Sequence, residues 1–471
     1  LVLGLGLSGT LDTAAAQSHL RPLASDHWSY DLVRELDMAS WGGAWMVRSR
    51  PVLGGQLLST LQYSDGEASG ALRDVVAAWA ERLESELGSR DGLVRVGALA
   101  GADRSDAEVI QSRGGFVGGL ADVSLGPNVG AWAEGVASTQ DGFSELRSGG
   151  LTLATRGVQV VAGRVEHASL SAFNPVLLNG RAGLDGVLVA SREPFRFPGG
   201  AERLGRFQAH VFVAPRQETP TVSNAWFASY GLSWAPAASL SFGLARTVRF
   251  GGDGLEPFTA ANVLNTFTFG GSNSSFDDSQ AEVSVRGRVR LGNLRLGLYG
   301  ALAFEDLVAI KEDPAVVAGF TLPVPTQAGL ATFGYEFLGI GPRVILCDCE
   351  PNSHSWYRQR EYGRYELNGE LLGAALGGYG AGHYLTASFW STPYPLFVKG
   401  LVFIEDRSAD NLLNTRWPNS RTGVRVDLGV GPWRDFQGTL GLVTTSTDVG
   451  SEHGVHLTLR ALDVFGLLSR Q

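Results

Sequence analysis

The segment SWYRQREYGRYELNGE, residues 355–370, packs chemistry into a short span. Trp356, Tyr357, Tyr362 and Tyr365 offer aromatic faces, which suit the C–H groups of sugar rings. Arg358, Arg360 and Arg364 offer planar forks of N–H donors, which match carboxylates two bonds at a time. The stretch CDCEPNSH, 347–354, gathers Cys347, Cys349, two carboxylates and His354, but no second ligand pair follows to complete a soft-metal site. Residues 251–278 carry Asp253, Glu256, Asp277 and Asp278 without the spacing of a calcium-binding helix–loop–helix. Ser451 lies near His453, and His354 near Ser355. Closeness in sequence is not the geometry of a nucleophile and its base, and neither G-x-S-x-G nor H-E-x-x-H occurs. The expectation is a non-enzymatic protein without a cofactor or metal.

These residues need a scaffold, and the scaffold is written in a period of two. In EVSVRGRVRLGNLRLGLYGALAFED, 282–306, Glu282, Ser284, Arg286, Arg288 and Arg290 alternate with apolar residues. After Gly292-Asn293 a second alternating run carries Arg295, Tyr299 and Glu305 on its other face. Residues 224–250 repeat the pattern, with Trp226, Ala228, Tyr230, Leu232 and Trp234 on one side and Ser229, Gly231 and Ser233 on the other. Arg246 interrupts the next apolar face, which predicts a bulge or an interfacial position there. Further alternation runs through Val424–Val430 and Val455–Ala461.

A sheet with one apolar face, one face of Gly, Ser, Arg and Glu, and a fringe of Trp and Tyr suits a barrel with lipid outside and water inside. On that reading Glu282, Arg286, Arg288, Arg290, Arg295 and Glu305 face the lumen. Short turns at 235–237, 292–293 and 431–432 alternate with long connections near 251–278, 306–314 and 339–381, the pattern of periplasmic turns and external loops. The expected fold is all-β, a transmembrane antiparallel barrel over 91–471, with roughly 16 to 18 candidate strands.

The first 90 residues differ. LVLGLGLSGTLDTAAAQ reads as the remnant of a secretory signal over 1–16, cleaved near Ala16. Residues 17–90 read as a small helical region. Asp26 can cap a helix in which Trp28, Leu32 and Leu36 recur every fourth residue before Gly42. Leu72, Val75, Val76, Trp79, Leu83 and Leu87 form one stripe ahead of Gly88.

Composition narrows the class. The chain has 471 residues, 63 of them Gly, and a net charge of -9, which gives no reason to expect nucleic-acid binding. Two cysteines cannot form a disulfide framework. Export without a membrane helix leaves the periplasm, the exterior or the outer membrane.

Three stretches carry a resemblance. SWAPAASLSFGLARTVRFGGDG (233–254) resembles a hallmark strand of the Wzi-type capsule-assembly proteins. SREPFRFPGG (191–200) resembles the segment that precedes it, and GLYGALAFEDL (297–307) a strand ending in an acidic pair. Ala374 departs from the pattern, at a position where the family often carries histidine. The resemblance implies an outer-membrane barrel of about 18 strands with a periplasmic helical region. It also implies a lectin-like role, binding capsular or extracellular polysaccharide at the surface of a Gram-negative-type bacterium, as a monomer in outer-membrane lipid. Residues 356–365 become the expected sugar contacts. The alternative is a porin or sugar channel, which a helical plug across the periplasmic mouth would oppose.

Overall fold

The computed structural model describes residues 20–23, 27–38, 49–50, 53–67, 70–87, 94–105, 114–126, 128–138, 144–169, 172–267, 276–292, 294–305, 314–341, 356–359, 362–368, 370–407, 411, 420–433, 436–447 and 450–461. The signal remnant, Asp26, Gly42, Gly88, Asn293, Cys347, Cys349, His354 and Arg360 lie outside the described residues, as does the side chain of Arg358.

Eighteen long strands run from Val94–Ser105 to Gly450–Ala461, each antiparallel to the next. The last pairs with the first, Ala98–Ser105 against Gly454–Ala461, and closes the barrel. Closure leaves no open edge, which lipid would not tolerate.

The alternation sorts the two faces. On Asp277–Leu291, Val283, Val285 and Val289 are 41–48% exposed, while Glu282 and Arg286 are buried. The register carries each face across the wall: Val283 sits opposite Leu244 and Leu302, and Glu282 opposite Ala245 and Ala303. Exposed Leu151, Val187, Phe333, Leu385, Ile404, Leu428, Leu442 and Leu459 continue the outer belt around the wall. Among the described residues no helix is long and apolar enough to cross a membrane; the strands do so. At one end the turns are short, as at 327–328 and 392–395; at the other lie 251–276 and 341–379.

Arg246 sits on the outward face, but the ladder with Asp277–Gly287 runs through it without a shift. The outer wall is covered there by helix Ala260–Phe267. Arg246 donates to Thr266 O at 2.6 Å, Tyr230 Oη at 3.1 Å and Ser279 Oγ at 2.9 Å. The covering helix thus replaces the expected bulge: it shields a charge that lipid would exclude.

Three helices fill the short-turn end of the lumen: α1 (Trp28–Met38), α2 (Gly54–Glu67) and α3 (Ala71–Leu87). The α3 stripe is buried as its spacing requires, with Leu72, Val75, Val76, Trp79, Leu83 and Leu87 all at 0–1% exposure. It packs with Trp28, Leu32 and Leu36 against Leu330, Trp390 and Phe397 of the inner wall. Trp79 meets Trp28 at 5.0 Å and Trp390 edge-on at 5.1 Å. Helix α2 has no clean stripe and escaped the periodicity reading; Leu57, Leu58 and Leu61 bury its contact side.

Candidate functional site

The long-connection end is closed by chain without regular structure. Residues 356–359, 362–368 and 370–379 fold back into the mouth as a cap, and among the described residues its strands are two residues long, at 358–359, 363–364, 366–367 and 370–371. Such chain leaves peptide groups unpaired, and side chains must satisfy them. Tyr357 Oη donates to Val176 O at 2.6 Å and accepts from Ala374 N at 3.0 Å. Its backbone N donates to Glu305 Oε1 at 2.5 Å. Tyr362 Oη lies 2.6 Å from Phe276 O and 3.1 Å from Gly251 O. Tyr365 stacks on Tyr357 at 5.5 Å and donates to Thr247 Oγ1 at 2.5 Å. Burial pushes the Tyr357 and Tyr365 phenols up, so both stay protonated donors.

Arg249 ties cap to wall. It bonds Asp278 Oδ2 through Nε at 2.9 Å and Nη2 at 2.5 Å, and Arg364 O through Nη1 at 2.5 Å. Its guanidinium also lies 5.4 Å from the Tyr362 ring and 5.1 Å from the Tyr365 ring.

This geometry changes the sugar-contact expectation. Trp356, Tyr357, Tyr362 and Tyr365 are 0–1% exposed and offer no face to a ligand. They are the pillars of the cap: the Tyr357 and Tyr362 hydroxyls match backbone groups that a dry interior would otherwise strand, Tyr365 bonds the Thr247 hydroxyl, and Trp356 packs edge-on against Tyr357. Of the seven expected contacts, Arg364 is partly exposed, paired with Glu366 at 3.8 Å. Around it lies a polar rim: exposed Arg216, Glu218, Thr221 and Asn368, and Asn224 bonded to Asp253 at 2.8 Å.

The lumenal charges divide by height. Glu282 and Arg286 are buried within the wall's inner face. Arg288 donates to Ala238 O and Arg290 to Gly292 O, both beside short turns, and Arg295 lies opposite Arg290. Glu305 lies under the cap. Sequence reasoning missed Glu336, which accepts Tyr299 Oη, Phe173 N and Asn174 N at 2.6–2.8 Å. It also missed Glu405, which holds Arg407 at 2.9 Å and Arg421 at 2.7 Å. The available signal was a carboxylate on the inner-facing positions of an alternating run. Between α1 and the wall remains a polar cavity of about 400 Å³, lined by Asp31, Lys399, Asp427, His456 and Arg460 among others. His453 meets Thr444 at 3.2 Å rather than Ser451.

A family model described as capsule assembly protein Wzi matches residues 96–393. No curated protein sequence matches the chain. Among solved structures, Wzi of Escherichia coli, described as an outer-membrane, carbohydrate-binding β-barrel involved in group 1 capsule assembly, is similar at 13% identity. The match covers 93% of this chain and 98% of that one, with a TM-score of 0.78. OccK3 (OpdO) of Pseudomonas aeruginosa is similar at 15% identity over 78% of this chain and 94% of that one, with a TM-score of 0.46. OccD3 (OpdP) of the same organism gives 14%, 78%, 90% and 0.46.

Proposed function

The chain belongs to the Wzi capsule-assembly family, and from that premise we propose that it is a lectin-like protein of the outer membrane. It holds capsular or extracellular polysaccharide at the cell surface without altering it covalently. It works as a monomer in outer-membrane lipid.

One observation carries this reading over a channel: the lumen is filled from both ends. Helices α1 and α3 pack on Trp390, Leu330 and Phe397 at the short-turn end, and the cap packs on Val176, Thr247 and Glu305 at the other. A polymer retained by this protein meets the polar rim, where Arg364 and its neighbours supply forks and carboxylates for acidic sugars. Single contacts of this kind are weak. On a repeating polymer they add through effective concentration.

The test pairs two measurements on one detergent-folded preparation: binding to the host's own surface polysaccharide, and single-channel conductance. Saturable binding, weakened several-fold by Arg364→Ala with Glu366→Ala and accompanied by no conductance, is the expected result. Steady conductance without binding would sink the lectin reading in favour of a sugar channel.

A further inference from the structure

The barrel wall is not laddered over its whole height. Strands Asn179–Ser191 and Arg206–Gln217 are neighbours, yet among the described residues their ladder covers only Val187–Ala190 and His210–Val213. Toward the short turns the join continues in another form. Ser191 Oγ bonds Ala209 N at 2.9 Å and Ala209 O at 3.2 Å, and Phe195 bridges Phe207. Toward the long connections it stops. Pro215 has no N–H to give. Arg216 takes φ 56 in a bulge between Ala214 and Gln217, which turns the strand end aside.

The cap roofs this gap. Asn179 N donates to Leu372 O at 2.6 Å, and its side chain to Leu371 O and Gly373 O. Across the gap Asn368 exchanges backbone and side-chain bonds with Glu218 and Gln217. Beneath the roof lies a window of about 540 Å³, bordered by Arg164, Asp185, Pro215, Arg216, Gln217 and Asn368.

The border has the chemistry of an anionic-sugar site. Arg164 and Asp185 face each other in register, 3.7 Å apart, and the Asp185 side chain is 67% exposed. Arg216 is exposed on the opposite border. Alternation puts Asp185 on the same outward face as Val187 and Val189, which are 44% and 43% exposed in the apolar belt. Charge on that face is costly at the bilayer midplane and tolerated near the interface. The window therefore sits at headgroup level, opening sideways above acyl chains and not upward from the rim.

We propose that this window binds the anionic headgroup of a glycolipid in the outer leaflet. Arg164 and Arg216 grip its phosphate or carboxylate, Asp185 takes sugar hydroxyls, and the acyl chains lie along Val187, Val189 and Val211. The proposal rests on the outer-membrane placement and is independent of polymer retention.

Native mass spectrometry of the detergent-folded full chain tests it. The probes are a phosphorylated disaccharide glycolipid, its dephosphorylated form and a soluble sugar phosphate. Expected is retention of the phosphorylated glycolipid, weakened about tenfold by Arg216→Gln or by dephosphorylation, with no competition from the soluble sugar. Equal retention by wild type and the Arg164→Gln/Arg216→Gln double variant would overturn the site. Equal competition by the soluble sugar phosphate would overturn the lipid source. Folding of each variant is read from heat-modifiable gel mobility; if Arg164→Gln fails to fold, exposed Arg216→Gln alone decides. Polymer binding on the same sample keeps the two readings apart: its loss with glycolipid binding intact removes only the lectin.

Discussion

The two ends of this barrel are stopped by different physics. The plug is helical, so its peptide groups bond one another, and its side chains need only be apolar at the right spacing. Inside the plug Glu86 is a polar lock, meeting His27 Nε2 at 2.8 Å, Trp28 Nε1 at 3.0 Å and Arg21 at 4.0 Å. Against the wall, Glu35 accepts from Ser388 Oγ and Trp390 Nε1, both at 2.7 Å, Arg82 donates to Ser391 O and Thr392 O, and Lys399 pairs with Asp31. The cap is irregular, so its interior must be satisfied group by group, and tyrosine hydroxyls do this. The plug keeps its own peptide bonding if it shifts as a body and gives up only those few side-chain bonds to the wall, whereas a cap stitched by hydroxyls to carbonyls on three other segments loses the partners of its backbone. The plug is the end better suited to movement.

Removing the lock should have the largest effect. Glu86→Ala leaves His27, Trp28 and Arg21 without their shared acceptor and costs about 3–5 kcal/mol, the usual penalty for breaking a buried ion pair. Urea unfolding of the refolded barrel measures it, and conductance should rise as the plug loosens while proteolysis of the cap stays unchanged. A cost below about 1 kcal/mol would mean that the tryptophan cluster and the Glu35, Arg82 and Asp31 bonds to the wall hold the plug without the lock.

pH should separate the ends in opposite directions. Burial raises the Glu86 carboxyl, but His27, Arg21 and the Trp28 bond outweigh it and hold it down to about 2. A depressed carboxylate contributes stability above its unfolded value of 4.5 and loses it as pH falls toward about 2. The full swing is about 3 kcal/mol. Glu35 partly offsets this, because burial raises its carboxyl and its ionisation disfavours the fold as pH rises. Tyr357 and Tyr365 are raised by burial, so their contribution is complete below the unfolded value of 10.0 and is lost as pH climbs beyond it. Hydrogen exchange should therefore show the plug opening first in acid and the cap first in alkali. The same end opening first in both would contradict this division.

The same contrast explains what was legible in the sequence. Period-two alternation from Glu282 to Arg290 marks a wall, because one residue of slip would put arginine into lipid. The stripe from Leu72 to Leu87 marks the plug. Glu86 sits inside that stripe, a charge where spacing demands an apolar residue, and this was a readable sign of a buried lock. The cap had no such period. Trp356 to Tyr365 look alike whether they face sugar or protein, and what decides is a carbonyl 181 residues away at Val176 and a hydroxyl 118 residues away at Thr247. Pro215 inside an alternating run was a local sign of the break in the wall, but its meaning depends on a roof contributed by Asn368 and Leu372.

The smallest effects should come from single hydroxyls, and they sharpen the account of the cap. Tyr357→Phe keeps the ring stacked at 5.5 Å on Tyr365 but strands Val176 O and Ala374 N, two buried backbone groups. That costs about 1–3 kcal/mol. Tyr365→Phe removes a single bond, the one it donates to Thr247 Oγ1, and strands no backbone group, so it costs about 1 kcal/mol or less. Protease sensitivity of residues 356–379 should follow that order. Equal sensitivity would mean that ring stacking, not hydroxyl matching, holds the cap. The Tyr357→Phe/Tyr365→Phe double variant then decides between them. Bonds to separate partners should add, whereas a coupling above about 0.5 kcal/mol would show the two phenols acting as one unit.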